Sequence, residues 1–349
     1  MDEIRVILCG VGDIGSAIAK HILNKKGLAI VGAVDVAREK VGKDLGEILN
    51  LDGRIGVAVQ KDMESVLSEA EADVAIHSTT SYLRDAYPQL CKLVENHVNV
   101  ISTCEELVYP YYVEPELSEK LDALARKCDV TVLGAGINPG FLMDTLIIAL
   151  TAVCQRIEHI EAVRVVDPAK RRLSFQRKVG VGLTVDEFKS KIASGHITGH
   201  VGLVQSLTMI ADALCWSIES VVADEVKPVV AEEDLGSGGV RVKAGRVAGI
   251  SQRASAIING EEVISLIFQA YVGAEEYDAV TIRGVPAIQQ RIQPCINGDL
   301  GTVGIITNLI PRVLYAPAGL LSMKDIPIPS ATPENLRECL SPSVRVTAR

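Results

Sequence analysis

Short apolar runs alternate with helical patterns through the first half of the chain. Ile4–Cys9 is a strand-like run, and residues 16–24 carry apolar side chains at 17, 18, 19, 22 and 23, one face of a helix. A second apolar run covers 28–36 and ends around Asp35. Helical stretches at 63–70, 82–96 and 115–127 then alternate with strand-like runs at 74–77, 99–102 and 131–133. This rhythm predicts a parallel sheet covered on both faces. Right-handed crossovers make it doubly wound. Beyond residue 134 the rhythm changes. Residues 144–153, 185–194 and 201–220 read as helices, and 157–166 alternates like a strand. From 221 to 285 several strand-like segments are broken by glycine turns, with Gly236, Gly238 and Gly239 marking one. Residues 302–314 read as a helix, and the Pro- and Ser-rich stretch 317–349 as a surface strap.

At 349 residues the chain makes about two domains of roughly 150 residues each. It can bury a core without disulfide staples. Apolar content of 48% with 23% charged residues excludes a disordered chain. A net charge of −9 argues against a nucleic-acid backbone as the main partner. One Trp and 4% aromatics leave no platform for stacking bases. No run reaches the ~20 apolar residues of a membrane span. The best stretch, 141–154, is short and holds Asp144. The N-terminus opens with Asp2, Glu3 and Arg5 and lacks the layout of a signal peptide. Eight scattered cysteines with no CxxC pair suggest reduced thiols, so a cytoplasmic location is expected. Cys91, Cys128 and Cys215 lie in apolar periodic stretches and suit packing.

The sharpest chemical signal follows the first strand. Gly10-Val11-Gly12-Asp13-Ile14-Gly15 is GxGxxG between a strand and a helix. Gly10 permits the tight turn, Gly12 lets backbone approach a pyrophosphate, and Gly15 lets helix pack on strand. The backbone at Asp13 and Ile14 opens the helix and turns N–H donors toward phosphates. Asp35 falls twenty residues after Gly15, at the end of the second strand, where a carboxylate bonds ribose hydroxyls. It favours NAD. Arg38 offers a charge for a 2′-phosphate, so NADP stays open. The fold class expected is α/β: an N-terminal Rossmann-type doubly wound parallel sheet, plus an α+β second domain with a mostly antiparallel sheet. Residues 1–135, joined by the helix and tail at 300–349, form the dinucleotide-binding domain. Residues 136–300 form a domain for substrate binding and oligomerisation.

Further candidates end the later strands. Ser78, Thr79 and Thr80 sit beyond the fourth apolar strand, suited to ribose or nicotinamide, with Thr80 or Ser81 also suited to cap the next helix. His77 is read as packing. Thr103, Glu105 and Glu106 follow the next strand. A half-buried Glu there is a candidate proton carrier, although both acids also suit the first turn of a helix. Cys104 has no neighbouring His to activate it as a nucleophile. Asn138-Pro139-Gly140 forms a loop that suits both a hinge and an amide contact. His196 and His200 stand four apart, but Gly195 and Gly199 make a helix doubtful and no third ligand suggests itself, so no metal is expected. The run Lys170-Arg171-Arg172 reads as a solvated face, or as the cation a carboxylate-bearing substrate needs.

Six ordered motifs resemble a known family: GVGDIG at 10–15, STCEEL at 102–107, GAGINPGF at 134–141, RKVGVGLTVDEF at 177–188, GHVGLVQSLTMIADAL at 199–214 and LLSMKDIPIP at 320–329. Together they look like the 2,4-diaminopentanoate dehydrogenases and related native amine dehydrogenases, which resemble dihydrodipicolinate reductase in architecture. The resemblance implies NAD(P)-dependent oxidative deamination of a primary amine, reversible as reductive amination. The substrate would be 2,4-diaminopentanoate, and the products 2-amino-4-oxopentanoate and ammonia. The family's catalytic acid maps to Glu105, with Glu106 as the alternative. Its glycine fingerprint maps to Gly10, Gly12 and Gly15, and its NPG loop to Asn138, Pro139 and Gly140. The HH…K and DAPSGT segments of dihydrodipicolinate reductases are absent. Where homoserine dehydrogenases carry a TANK-like segment, Thr103-Cys104-Glu105 stands instead, replacing a cation by a base. Gln176, Lys178 and Asn297 are candidate substrate contacts, and a homodimer is expected. Two other readings stay open. One is a reductase of a C=N or C=C bond in a dicarboxylic substrate, and the other a non-catalytic dinucleotide sensor.

Overall fold

In a computed structural model of the chain, residues 3–336 are described. They divide into two units, one running to Ile137 and resuming at Leu300, the other spanning Asn138–Asp299.

The first unit alternates β1 (Ile4–Cys9), α1 (Asp13–Leu23), β2 (Leu28–Val34), α2 (Leu45–Ile48), β3 (Val59–Gln60), α3 (Met63–Glu69), β4 (Val74–His77), α4 (Leu83–Glu95), β5 (Asn99–Ser102), α5 (Pro115–Lys127) and β6 (Thr131–Gly134). β4 and β6 are buried at every position, as expected of parallel strands covered on both faces. Each helix buries one face. In α4 that face is Leu83, Ala86, Leu90, Leu93 and Val94, at helical spacing. α10 (Gly298–Val313) leads the chain back to this unit, and β16 (Gly319–Leu321) completes its sheet. The strand order is β16-β6-β5-β4-β1-β2-β3, with every neighbour parallel. Successive strands are added on one side of β1 and then on the other, so the order reverses between β1 and β4. A crevice opens at such a switch point, beyond the carboxyl ends of the strands.

β16 corrects the expectation of a surface strap after residue 317. Leu320 and Leu321 are buried beside β6. The Leu320 N–H donates to Asp122, and the Tyr111 hydroxyl donates to the Leu320 carbonyl. Three residues are too few to show a period, so the flanking prolines and serines dominated the pattern. The part of that expectation covering 337–349 lies outside the described residues.

The second unit holds α6 (Thr145–Thr151), β7 (Arg156–Val166), α7 (Leu173–Lys178), α8 (Val185–Ala193), α9 (Leu203–Ala213), β8 (Ser220–Ala223), β9 (Lys227–Val230), β10 (Leu235–Ser237), β11 (Val240–Val242), β12 (Val247–Ile258), β13 (Glu261–Tyr271), β14 (Tyr277–Val285) and β15 (Ile288–Ile292). Its large sheet runs β15-β14-β7-β13-β12-β8, with β9 also paired to β12. Only the β7–β13 pair is parallel, so the sheet is mostly antiparallel, as the pattern predicts. β10 and β11 form a hairpin turned by Gly238 and Gly239, both at positive φ. The helix expected over 201–220 ends at Ala213. Cys215 takes φ 54°, a left-handed helix stop that usually falls to glycine, and Ser220 already belongs to β8. No Gly or Pro marks this stop, so the apolar period runs through it. The helix expected over 144–153 is likewise trimmed to α6, with Asp144 as its N-cap.

Candidate active site

The turn from β1 to α1 uses its three glycines differently. Gly10 sits at φ +93°, and a Cβ there would meet the Ser78 carbonyl oxygen at 2.6 Å. A Cβ on Gly15 would stand 2.0 Å from the Gly10 carbonyl oxygen. A Cβ on Gly12 would meet nothing within 4 Å, because Gly12 faces a cleft of about 530 Å³. Gly12 is also the N-cap of α1 and offers no capping side chain. The positive end of α1, beginning with Asp13 and Ile14, is therefore left for an anion. The cleft is lined by Gly10, Asp35, Ser78, Thr79 and Thr80, all of them singled out in the sequence.

Asp35 follows β2 and is already bonded. Its Oδ1 accepts the Ala37 N–H at 2.9 Å, and its Oδ2 accepts the Val11 N–H at 2.9 Å and Lys40 Nζ at 3.0 Å. Burial opposes its ionisation, yet Ala37, Lys40 and Val11 hold its pKa below the usual carboxylate range. Arg38 lies exposed. Lys40 was missed in the sequence. A lysine five residues past the acid carries no motif, and only the turn after β2 brings it back.

At the end of β4, His77 is more than packing. Its Nδ1 meets Ser102 Oγ at 2.8 Å, and its Nε2 meets Thr79 Oγ1 at 2.9 Å and Gln89 Oε1 at 3.1 Å. Burial pushes this imidazole down to about 4, so the ring is neutral and holds Thr79 and Gln89 at the cleft. Ser78 Oγ donates to the Gly10 carbonyl at 3.1 Å, bracing the fingerprint turn from beneath.

The carboxyl end of β5 separates the two adjacent acids. The Thr103 N–H donates to the His77 carbonyl, which carries the β4–β5 pairing one step beyond the strand. Glu106 Oε2 accepts the Leu83 N–H at 2.8 Å and so caps α4 from 23 residues away. This corrects the expected cap, Thr80 or Ser81. Thr80 Oγ1 reaches the Tyr82 N–H only at 3.4 Å. Burial raises the Glu106 pKa, and the Leu83 N–H offsets part of that rise. Glu105 opens the 3-10 turn Glu106–Val108. Cys104 is fully buried and its thiol is pushed up to about 12 by burial, which disfavours the thiolate at neutral pH.

Asn138 begins the second unit. Both polar atoms of its amide are buried without a hydrogen-bond partner among the described residues. A buried orphaned amide is costly and fits a ligand that supplies a donor and an acceptor. Its loop is built firmly. Asp144 accepts the Gly140 N–H at 2.7 Å, the Thr145 N–H at 2.6 Å and the Ser206 hydroxyl at 2.7 Å, tying the loop to α6 and α9. Gly202 makes room for Pro139, whose ring lies 2.4 Å from where a Cβ would be.

Gln176 and Asn297 belong to one polar chain. Gln176 Nε2 donates to the Arg171 carbonyl, the Arg171 guanidinium grips Asp299 through two bonds, and Asn297 Oδ1 accepts the Asp299 N–H. Arg171 is thus bound inside this chain and stacked over Phe175 at 4.8 Å, not part of a solvated face. Lys178, on the same helix as Gln176, lies close enough to His200 to disfavour its protonation. His200 stacks on Phe268 at 4.4 Å and is pushed down to about 3 by burial, with Lys178 and Arg164 adding to the effect. His196 and His200 share no helix, and no group of three metal-ligating side chains occurs among the described residues.

A glycine-fingerprint parallel domain with a cleft at its switch point defines an oxidoreductase carrying a dinucleotide-binding domain. A family model described as the 2,4-diaminopentanoate dehydrogenase C-terminal domain matches residues 141–341, and one described as the dihydrodipicolinate reductase N-terminus matches 4–107. The chain is 34% identical to a 2,4-diaminopentanoate dehydrogenase of Acetoanaerobium sticklandii, covering 99% of each protein. An amine dehydrogenase structure from Mycobacterium smegmatis superposes with a TM-score of 0.82 at 28% identity, covering 93% of this chain and 96% of that one. A dihydrodipicolinate reductase of Paenisporosarcina, 13% identical, superposes with a TM-score of 0.52 over 92% of this chain and 98% of that one, which is a likeness of fold. The chain belongs to the 2,4-diaminopentanoate dehydrogenase family.

Proposed function

We propose that this enzyme catalyses the NAD(P)-dependent oxidative deamination of 2,4-diaminopentanoate to 2-amino-4-oxopentanoate and ammonia, and the reverse reductive amination. The observation that carries this reading is the likeness to a 2,4-diaminopentanoate dehydrogenase along 99% of both proteins. The residues present fit the dinucleotide. Gly12 leaves open space at an uncapped helix N-terminus, Asp35 stands at the end of β2, and the Asn138 amide lacks partners. Gly10 to Gly15 take the pyrophosphate, Asp35 a ribose, Ser78, Thr79, Thr80 and Thr103 the cleft-side polar groups, and Asn138 in the Asn138-Pro139-Gly140 loop the carboxamide. NAD is the first choice.

Bound NAD(P)+ supplies the hydride acceptor. Glu105, the position to which the family's acid maps, takes the proton from the substrate ammonium, and Glu106 caps α4. The freed amine lone pair then lets the carbon at position 4 release a hydride, and an iminium forms on the substrate. Glu105 directs a water onto that carbon, and ammonia leaves. The sum is substrate ammonium plus NAD(P)+ plus water giving ketone, ammonium, NAD(P)H and one proton. Gln176, Lys178 and Asn297 belong to the part of the protein that holds the rest of the substrate. A homodimer in the cytoplasm, acting on small molecules in amino-acid degradation, completes the proposal. Among the described residues no helix is long and apolar enough to cross a membrane.

The test is the NADH absorbance band on mixing enzyme, NAD+ and 2,4-diaminopentanoate or simple amines, with NADH in place of NAD+ when dicarboxylic imines or enoates are run alongside. Amine-dependent NADH formation supports the reading. Turnover confined to the dicarboxylic substrates would transfer the site to a reductase. Dinucleotide binding without turnover on any of them would leave a sensor.

A further inference from the structure

The surroundings of Asp35 carry a further step, which rests on the reading of this cleft as a nicotinamide-dinucleotide site. An acid at the end of the second strand normally reads the adenosine ribose with both carboxylate oxygens, and its charge repels a 2′-phosphate. Here that arrangement is altered. Asp35 Oδ2 is used twice, by the Val11 N–H and by Lys40 Nζ, and Oδ1 once, by the Ala37 N–H. A carboxylate offers about four acceptor directions, so roughly one remains, on Oδ1.

Lys40 has a second anchor. Its Nζ also donates to the Val11 carbonyl at 3.0 Å, which fixes the ammonium against the backbone of the fingerprint turn. Of its three N–H donors, two are used, and the third has no partner among the described residues. Neither side chain is fully withdrawn: Lys40 is 24% exposed and Asp35 10%. The acid and the ammonium together are electrically neutral at the place where a lone acid would be negative. Lys61 and Lys92 line the same cleft, together with Asp62, Glu64 and Asp85.

We propose that Lys40 is the residue that admits a 2′-phosphate, so that one subsite accepts both NAD(H) and NADP(H). The ribose hydroxyls of NAD(H) use the remaining acceptor of Asp35. The 2′-phosphate of NADP(H) draws Lys40 away from Asp35, exchanging one ion pair for another in the same place. Arg38, the cation the sequence offers for this task, lies exposed, whereas Lys40 is already fastened to the turn.

The test is fluorescence titration of the purified enzyme, without substrate, using NADH and NADPH separately. The proteins are the wild type, Lys40→Met, Lys40→Arg and Arg38→Met. Wild type should bind both. Lys40→Met should raise the NADPH Kd at least tenfold and leave the NADH Kd within about threefold. Retained NADH binding also shows that the variant is folded. Lys40→Arg keeps a cation and should keep NADPH binding. Equal weakening of both nucleotides in Lys40→Met would make Lys40 a clamp on the turn and overturn the proposal. So would unchanged NADPH binding in that variant, loss of NADPH binding in Arg38→Met instead, or a wild type that binds NADH alone. A wild type that binds neither nucleotide would overturn the dinucleotide reading itself.

Discussion

Two glutamates stand side by side, and one of them, Glu106, caps a helix. Glu106 accepts the Leu83 N–H, whose helix otherwise starts at Tyr82 without a side-chain cap. Glu106→Gln keeps an acceptor, so it should retain most of the turnover and lose no more than about 1 kcal/mol of stability. Glu105→Gln should lower kcat by about 10²- to 10⁴-fold, the usual worth of a positioned proton carrier, with NADH binding unchanged. Steady-state rates and nucleotide titrations on the pair separate the roles. Full activity in Glu105→Gln would remove it from the chemistry. The sequence placed both acids at a strand end but could not show that Glu106 caps α4, because that bond spans 23 residues.

At the level of elements, the β1–α1 turn was legible because each glycine answers a local steric demand. Gly15 is the most sharply required, with the Gly10 carbonyl 2.0 Å from where a Cβ would stand. Gly15→Ala should therefore displace α1 from β1, and NADH titration should show at least a tenfold weaker Kd. The loop at 138–140 was legible only as a loop. Its rigidity depends on Asp144, which serves three donors from the loop, α6 and α9. Asp144→Ala leaves those donors buried and unpaired, and chemical denaturation should show a loss of about 2–5 kcal/mol. The true end of α9 was hidden, since a non-glycine residue, Cys215, takes the left-handed position. β16 was hidden by its length of three residues.

On the scale of the whole molecule, the alternating pattern sufficed for the doubly wound sheet and the change of rhythm for a second unit of another class. It could not reveal which polar side chains would be buried. His77 is the clearest case, a ring held neutral in a bonded network. Its folded pKa, about 4, lies below the ordinary imidazole value of about 6.5, so the unfolded chain takes up the proton first. Stability from this group is complete above about pH 6.5 and falls as pH drops toward about 4, by on the order of 3 kcal/mol. Asp144 has the opposite sign, because burial raises its pKa and acid relieves that cost. Melting temperatures of wild type and His77→Gln across this window isolate the histidine. The variant should be less stable near neutrality and show a flatter acid slope. Parallel slopes would mean that His77 does not titrate on unfolding.

The most direct measurement of the central claim is NADH consumption in the reductive direction, with 2-amino-4-oxopentanoate and ammonium varied independently. An amine dehydrogenase should oxidise NADH only when both are present, with a rate that saturates in each and 2,4-diaminopentanoate as the product. NADH oxidation that proceeds with no ammonium would contradict the amine chemistry and leave a carbonyl or double-bond reductase in its place.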